Sequence, residues 1–194
     1  YDSTAGEVLI DNTPIQNINL NELRSQTGCV PQDVFLFSDS VKNNISFGTF
    51  INTGNSRMED IEWAAKQAVV HENIQEFNEG YETVVGERGV TLSGGQKQRV
   101  SIARALLKNP QILLFDDCLS AVDTETEEKI LTNLNHIMKN KTTIIVSHRI
   151  SSIKHCDKII ILKKGKIIEQ GNHKDLKEKN GYYKKLYKKQ NTEK

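Results

Sequence analysis

Apolar positions along this chain recur with two different periods, and the change of period divides it into three stretches. In residues 1–31 the runs EVLI (7–10) and GCV (28–30) read as short strands and NLNELRSQ as a short helix between them. This segment is expected to form the edge of a sheet, punctuated by Gly6 and Pro31. Over residues 32–92 glycine-containing loops such as GTFINTGNS separate helical stretches, which predicts a helical lobe. Its clearest helix is SRMEDIEWAAKQAVV, with Met58, Ile61, Ala65 and Ala68 on one face and Trp63 assigned to the core. From 93 to 194 helix and strand alternate: GGQKQRVSIARALLKN, ILLF, TETEEKILTNLNHIMKN, TTIIV and ISSIKHC, followed by KIIILKKGKIIEQG. Strand, helix, strand predicts a parallel sheet with crossovers. Ile130, Leu131, Leu134, Ile137 and Met138 form the buried stripe of the helix after Thr124. Lys163 to Lys166 reads as a hairpin turn, and the lysine-rich tail as a terminal helix that packs Tyr182, Tyr183, Leu186 and Tyr187.

Composition narrows the class without naming a partner. A chain of 194 residues with 26% charged residues and a net charge of +1 is long enough for a real core and has no global pull toward nucleic acid or anionic lipid. The longest apolar runs, Ile112 to Phe115 and Ile159 to Leu162, fall far short of the roughly 20 residues that span a bilayer. Cys29, Cys118 and Cys156 are widely spaced without a CxxC, which argues against a disulfide framework or zinc site. No signal-peptide pattern opens the chain, which begins at Tyr1 without an initiator Met.

The most informative string is LSGGQKQRVSIARAL, Leu92 to Leu106. Ser93 can cap the helix that follows, while Gly94 and Gly95 bare its first amide groups, so this helix end suits an anion such as phosphate, with the Ser93 hydroxyl and Gln96 as further donors. LSGGQ, followed by an apolar run ending in Asp116 and Asp117, matches the signature of the ATP-binding cassette (ABC) family. The resemblance spans nearly the whole chain in the family's order. Gln32 in VPQD looks like the Q-loop, VVGERG (Val84 to Gly89) like the loop preceding the signature in exporters, and LLFDD like Walker B. SAVD, ending in Asp123, resembles the D-loop, and His148 in VSHR the switch histidine.

The resemblance implies an α/β fold: a P-loop NTPase-like ATPase core with a parallel sheet, a helical subdomain with the Q-loop over 32–92, and the remnant of an N-terminal antiparallel β subdomain within 1–31. Residues 93–194 would hold the signature helix, Walker B, the switch histidine and C-terminal helices. The ligands implied are ATP and magnesium. Asp116, at a strand end, would hold the ion through its water shell, because this hard cation prefers oxygen ligands. Gln32 offers an amide oxygen to the same ion or to the attacking water, and His148 would donate to the γ-phosphate. Ser93, Gly94, Gly95, Gln96 and Asp123 would contact nucleotide across a head-to-tail pair of such domains.

Two departures qualify that picture. The family's hydrolytic position usually carries Glu, and here it is Asp117. The shorter side chain withdraws the carboxylate by roughly 1 Å from a water it should polarise, a misplacement that can cost about 10²-fold in rate. This resembles the weakly hydrolytic half of heterodimeric exporters. Further, no GxxxxGK[ST] occurs in the 194 residues, so the chain is expected to be a piece cut just after the phosphate loop, inactive by itself. The expected function is therefore that of a nucleotide-binding domain at the cytoplasmic face of the cell membrane. It would be joined to a transmembrane domain of the same chain, face a second nucleotide-binding domain and drive export of a small molecule, drug or lipid, with no nucleic-acid partner. Two alternatives are a soluble ABC-type ATPase acting on nucleic acid or the ribosome, and a regulatory module that binds nucleotide without turning it over.

Overall fold

The computed structural model describes residues 3–49, 56–86 and 89–192. Part of the loop GTFINTGNS and the centre of VVGERG, Glu87 and Arg88, lie outside the described residues. In chain order the elements are β1 (Leu9–Ile10), β2 (Thr13–Pro14), α1 (Leu20–Ser25), β3 (Thr27–Val30), β4 (Asp39–Ser40), α2 (Val41–Ser46), α3 (Met58–Gln67), α4 (His71–Gln75) and β5 (Val84–Val85). The remainder comprises α5 (Gly94–Leu107), β6 (Ile112–Asp116), α6 (Thr124–Met138), β7 (Thr142–Val146), α7 (Ile150–Ile153), β8 (Ile159–Lys163), β9 (Lys166–Gly171), α8 (His173–Glu178) and α9 (Tyr182–Thr192).

The expected parallel sheet is present, with the order β3-β6-β7 and β6 in the centre. Strand alternation gives it two unlike faces. Val30, Leu113 and Phe115 lie on the face buried in the main core, together with Ile102, Leu106, Ile130 and Leu134 from α5 and α6. Cys29, Leu114 and Ile144 are register partners on the other face, where Ile144 is 54% exposed and its strand neighbour Val146 is 53% exposed. Along α6 the burial of Glu127, Ile130, Leu131 and Leu134 follows the predicted stripe, and Ile137 and Met138 pack against the same core.

In the region between Gln32 and Leu92 the helices α2 and α3 pack against α5 and α4 packs against α3, with a two-stranded antiparallel sheet of β4 and β5 beside them. Ile61, Ala64, Ala65 and Ala68 are buried as the α3 periodicity predicts. Trp63 is not core: it is 44% exposed. Successive helical residues turn by about 100°, so Trp63 points away from the Ile61–Ala65 stripe two positions on either side.

A second, smaller core organises the C-terminal part. Ile150, Ile159, Leu176 and Tyr183 are its buried members, and Leu186 and Tyr187 of α9 pack against it. The β8-β9 hairpin turns at Lys164 and Gly165, with φ of 50° and 73°. Positive φ at both central residues is the turn geometry that matches strand twist. His71 and His173 each bond a tyrosine hydroxyl: Tyr81 at 2.8 Å and Tyr183 at 2.7 Å.

Leu134 is 1% exposed, so Leu134→Ala is expected to lower stability by about 2–5 kcal/mol in urea unfolding. Trp63→Ala should cost less than about 1 kcal/mol. Equal losses for the two would contradict this core assignment.

Candidate functional site

The site begins with strand ends. β3, β6 and β7 run parallel in register, with Val30 opposite Phe115 and Asp116 opposite Val146. Residues just beyond their carboxyl ends therefore gather along one edge, where open α/β sheets place ligands. Gln32 follows Val30 by two positions, Asp116 ends β6, Asp117 comes next, and His148 follows Val146 by two. Gln32, Asp116 and His148 are exposed, and Asp117 is half-buried. The structure thus brings together the four side chains proposed for magnesium, water and γ-phosphate.

The chain leaves β6 through a tight turn. Asp117 N–H donates to Val146 O at 2.8 Å, and Asp117 adopts φ 44°, a left-handed conformation that aspartate tolerates better than most side chains. Its carbonyl accepts the Ser120 hydroxyl at 2.9 Å. Burial pushes the neighbouring Cys118 thiol up to about 12, which keeps it un-ionised at neutral pH. Among the described residues no group of three or more His, Cys, Asp or Glu is placed to hold a metal ion. The donor set at the edge, one exposed carboxylate and one neutral amide oxygen, fits a magnesium ion that takes its remaining ligands from phosphate and water.

Ser93 caps α5 as the sequence predicts, and the capping is reciprocal. Gln96 N–H donates to Ser93 Oγ at 3.2 Å, and Ser93 N–H donates to Gln96 Oε1 at 2.9 Å. The Ser93 hydroxyl proton and the Gln96 amino group remain as donors. Gly94 and Gly95 have a role beyond bared amides. A Cβ on Gly95 would come 2.8 Å from Ala121 O, so the glycines let α5 lie directly against the loop of residues 117–123. Asp123 ends that loop as the cap of α6, accepting Thr126 N–H at 2.9 Å, and this bond holds its carboxyl below the usual range.

Three further residues tie these parts together, and the sequence reading missed them. Gln98, buried on α5, donates from Nε2 to Ser120 Oγ at 3.1 Å and accepts Ala121 N–H at 3.0 Å. Arg149, next to His148, donates to Ser120 O at 2.8 Å, Val122 O at 3.1 Å and Leu119 O at 3.3 Å. It also pairs with Glu127 at 2.7 Å. That carboxylate is 2% exposed and accepts the Ser151 and Ser152 hydroxyls at 2.8 and 2.6 Å. An acidic residue on the same helical face as Ile130, Leu131 and Leu134 was the available signal, since a buried carboxylate needs a partner.

The parallel sheet and the motif order are those the resemblance leads one to expect, and comparison with known proteins places the chain. The ABC transporter family profile matches residues 1–120, and the chain belongs to that family. Among its relatives is an uncharacterized ABC transporter ATP-binding protein, YknU, of Bacillus subtilis, 51% identical over 187 residues that make up 96% of this chain and 31% of the relative. An ATP-dependent lipid A-core flippase of Legionella pneumophila is 46% identical over 188 residues, 97% of this chain and 31% of the flippase. A solved bacterial Atm1-family ABC exporter with ATP bound superposes with a TM-score of 0.91 at 42% identity, over 98% of this chain and 33% of that one. The chain spans about a third of the length of the relatives it matches.

Removing Arg149 strands a buried carboxylate, so Arg149→Ala is expected to lower stability by about 3 kcal/mol, with partial recovery when Glu127→Gln is added. Strict additivity of the two substitutions in urea unfolding would show that the pair is not coupled.

Proposed function

We propose that this chain belongs to the nucleotide-binding domain of an ABC exporter, which binds and hydrolyses ATP to drive export of a small molecule, drug or lipid. The observation that carries the reading is the convergence of Gln32, Asp116, Asp117 and His148 on one edge of the sheet. Asp116 and Gln32 would hold a magnesium ion, which neutralises phosphate charge when bound. Gln32 and Asp117 orient the attacking water, and His148 donates to the γ-phosphate oxygens. Asp117 is a weak base here, because its carboxylate stands one methylene short of the usual glutamate.

The fully assembled protein has two sites in this reading. Ser93, Gly94, Gly95, Gln96 and Asp123 serve the nucleotide held by a second domain facing this one head to tail. A heterodimer is favoured, with the intact signature completing the partner's active site and Asp117 leaving a slow one behind. The chain works at the cytoplasmic face of the cell membrane, coupled to a transmembrane domain of the same polypeptide. No helix among the described residues is long and apolar enough to cross a membrane. Near Gln32 to Gly48, where coupling helices would dock, Phe35 and Phe47 are 66% and 48% exposed, and a hollow of about 470 Å³ opens beside Phe37, Asn43 and Phe47. The segments 1–31, 32–92 and 93–194 act as a partial β and core segment, the helical subdomain, and the signature, Walker B and switch core.

A second reading, a regulatory module that binds ATP without turning it over, is favoured by Asp117 alone. Asp117→Glu in the full-length exporter separates the two. With the facing domain's own hydrolytic residue disabled, turnover is expected to rise by about 10–100-fold as the carboxylate regains its reach, and no change would remove the slow-site reading. ATP titration should further find tight binding only in a chain extended upstream through a GxxxxGK[ST] loop; tight binding by the 194-residue chain alone would refute that dependence.

A further inference from the structure

The main chain around His148 is gripped from the far end of the molecule. Gln190, in the last turn of α9, donates from Nε2 to His148 O at 2.7 Å and accepts Ile150 N–H through Oε1 at 2.9 Å. One carboxamide thus spans the loop on both sides of Arg149. Ile150 opens the short helix α7, so its N–H has no partner inside that helix. Gln190 supplies one.

The arm that carries Gln190 is rigidly seated. Tyr183, Leu186, Tyr187 and Gln190 follow the spacing i, i+3, i+4, i+7 and share one face of α9. Tyr183 is fully buried, and Leu186 and Tyr187 pack against the second core, which also contains Ile150. At its start α9 is tied to β9 by the Glu169 carboxylate, which accepts Tyr182 N–H, and Tyr183 N–H at 3.1 Å. Arg149 meanwhile reaches the opposite way, to the carbonyls of residues 119, 120 and 122. The backbone of residues 148–150 is therefore held between α9 and the loop that follows Asp117, while the His148 side chain stays exposed.

We infer that Gln190 is a positioning residue for the switch histidine: it fixes the main chain on either side of residue 149 so that the His148 imidazole meets the γ-phosphate. This rests on the proposed role of His148 in ATP hydrolysis. The C-terminal helix acts, on this account, as a functional arm of the nucleotide site as well as a cover for the second core. Gln190 acts through main-chain atoms of residues 148 and 150, so its effect is expected on the chemical step rather than on nucleotide affinity.

The test uses the full-length assembly containing this chain, with the facing domain's own hydrolytic residue disabled so that turnover reports this site, in otherwise wild-type and Asp117→Glu forms, with Gln190→Ala and, as a control on an exposed position of the same helix, Lys188→Ala. Steady-state ATPase kinetics, thermal melting and amide hydrogen exchange at Ile150 are read together. Gln190→Ala is expected to lower kcat by about 10–100-fold with KM for ATP changed by less than about twofold, the pattern of an interaction acting on the reacting geometry. Exchange at Ile150 should accelerate while the melting temperature holds, and Lys188→Ala should match the parent. Unchanged kcat alongside faster exchange at Ile150 would overturn the positioning role alone, as would a fall in kcat that merely tracks a fall in melting temperature. Unchanged exchange at Ile150 would show that the bracket does not hold the loop. Absence of turnover in both the wild-type and Asp117→Glu exporters would bring down the ATPase reading and this inference with it.

Discussion

Everything at the site depends on β6 having a parallel neighbour on each side. Both of its hydrogen-bonding edges are satisfied, by β3 and by β7, and Leu113 and Phe115 anchor it in the core. Each such side chain contributes roughly 1.5–3 kcal/mol on burial. That anchoring lets a buried strand end in two adjacent carboxylates: the apolar residues stay inside while Asp116 emerges into solvent at the sheet edge. Because parallel strands end on the same side, the loops after β3 and β7 arrive there too. In an antiparallel sheet of the same order Gln32 and His148 would both lie at the end away from Asp116.

Guanidinium groups then link the rigid sheet to its surroundings. Arg99 and Arg104, both on α5, reach in different directions. Arg99 bonds Asn73 Oδ1 at 2.8 Å and the Val69 carbonyl, at the junction of α3 and α4. Arg104 bonds Asn44 O at 2.7 Å and Phe35 O at 3.1 Å, in the segment that leads from Gln32 into α2. Burial lowers the pKa of both from the ordinary arginine value, and the guanidinium remains charged at neutral pH. With Gln98 holding the loop at Ser120 and Ala121, one helix contacts the lobe, the segment after Gln32 and the loop after Asp117.

Much of this was legible in the sequence because it is written in periodicity and motif spacing. The apolar run into Asp116, the stripe on α6 and the capping pattern at Ser93 are local signals, and each element stands where its signal lies. The misses have a common cause. Trp63 is hydrophobic in composition, but its angular position on α3 faces it outward, and composition carries no angle. Gln98, Glu127 and Arg149 owe their roles to partners 22 to 30 residues away, and no local rule reports such a partner. Gly95 was readable as a source of bared amides, whereas its close approach to Ala121 needs the path of a distant loop. The order β3-β6-β7 likewise arises from tertiary pairing rather than from any single segment.

That strand order also imposes a schedule on synthesis. β3 ends at Val30, yet its one neighbour in the sheet among the described residues, β6, is complete only at Asp116. At the ribosome's pace of ~5–20 residues per second, β3 leaves the tunnel several seconds before β6 follows it. During that interval α3 and α5 emerge and can begin to associate through their own contacts. The edge that carries Asp116 is completed late, when β7 joins β6 and β3 more than a hundred residues after β3 in the chain.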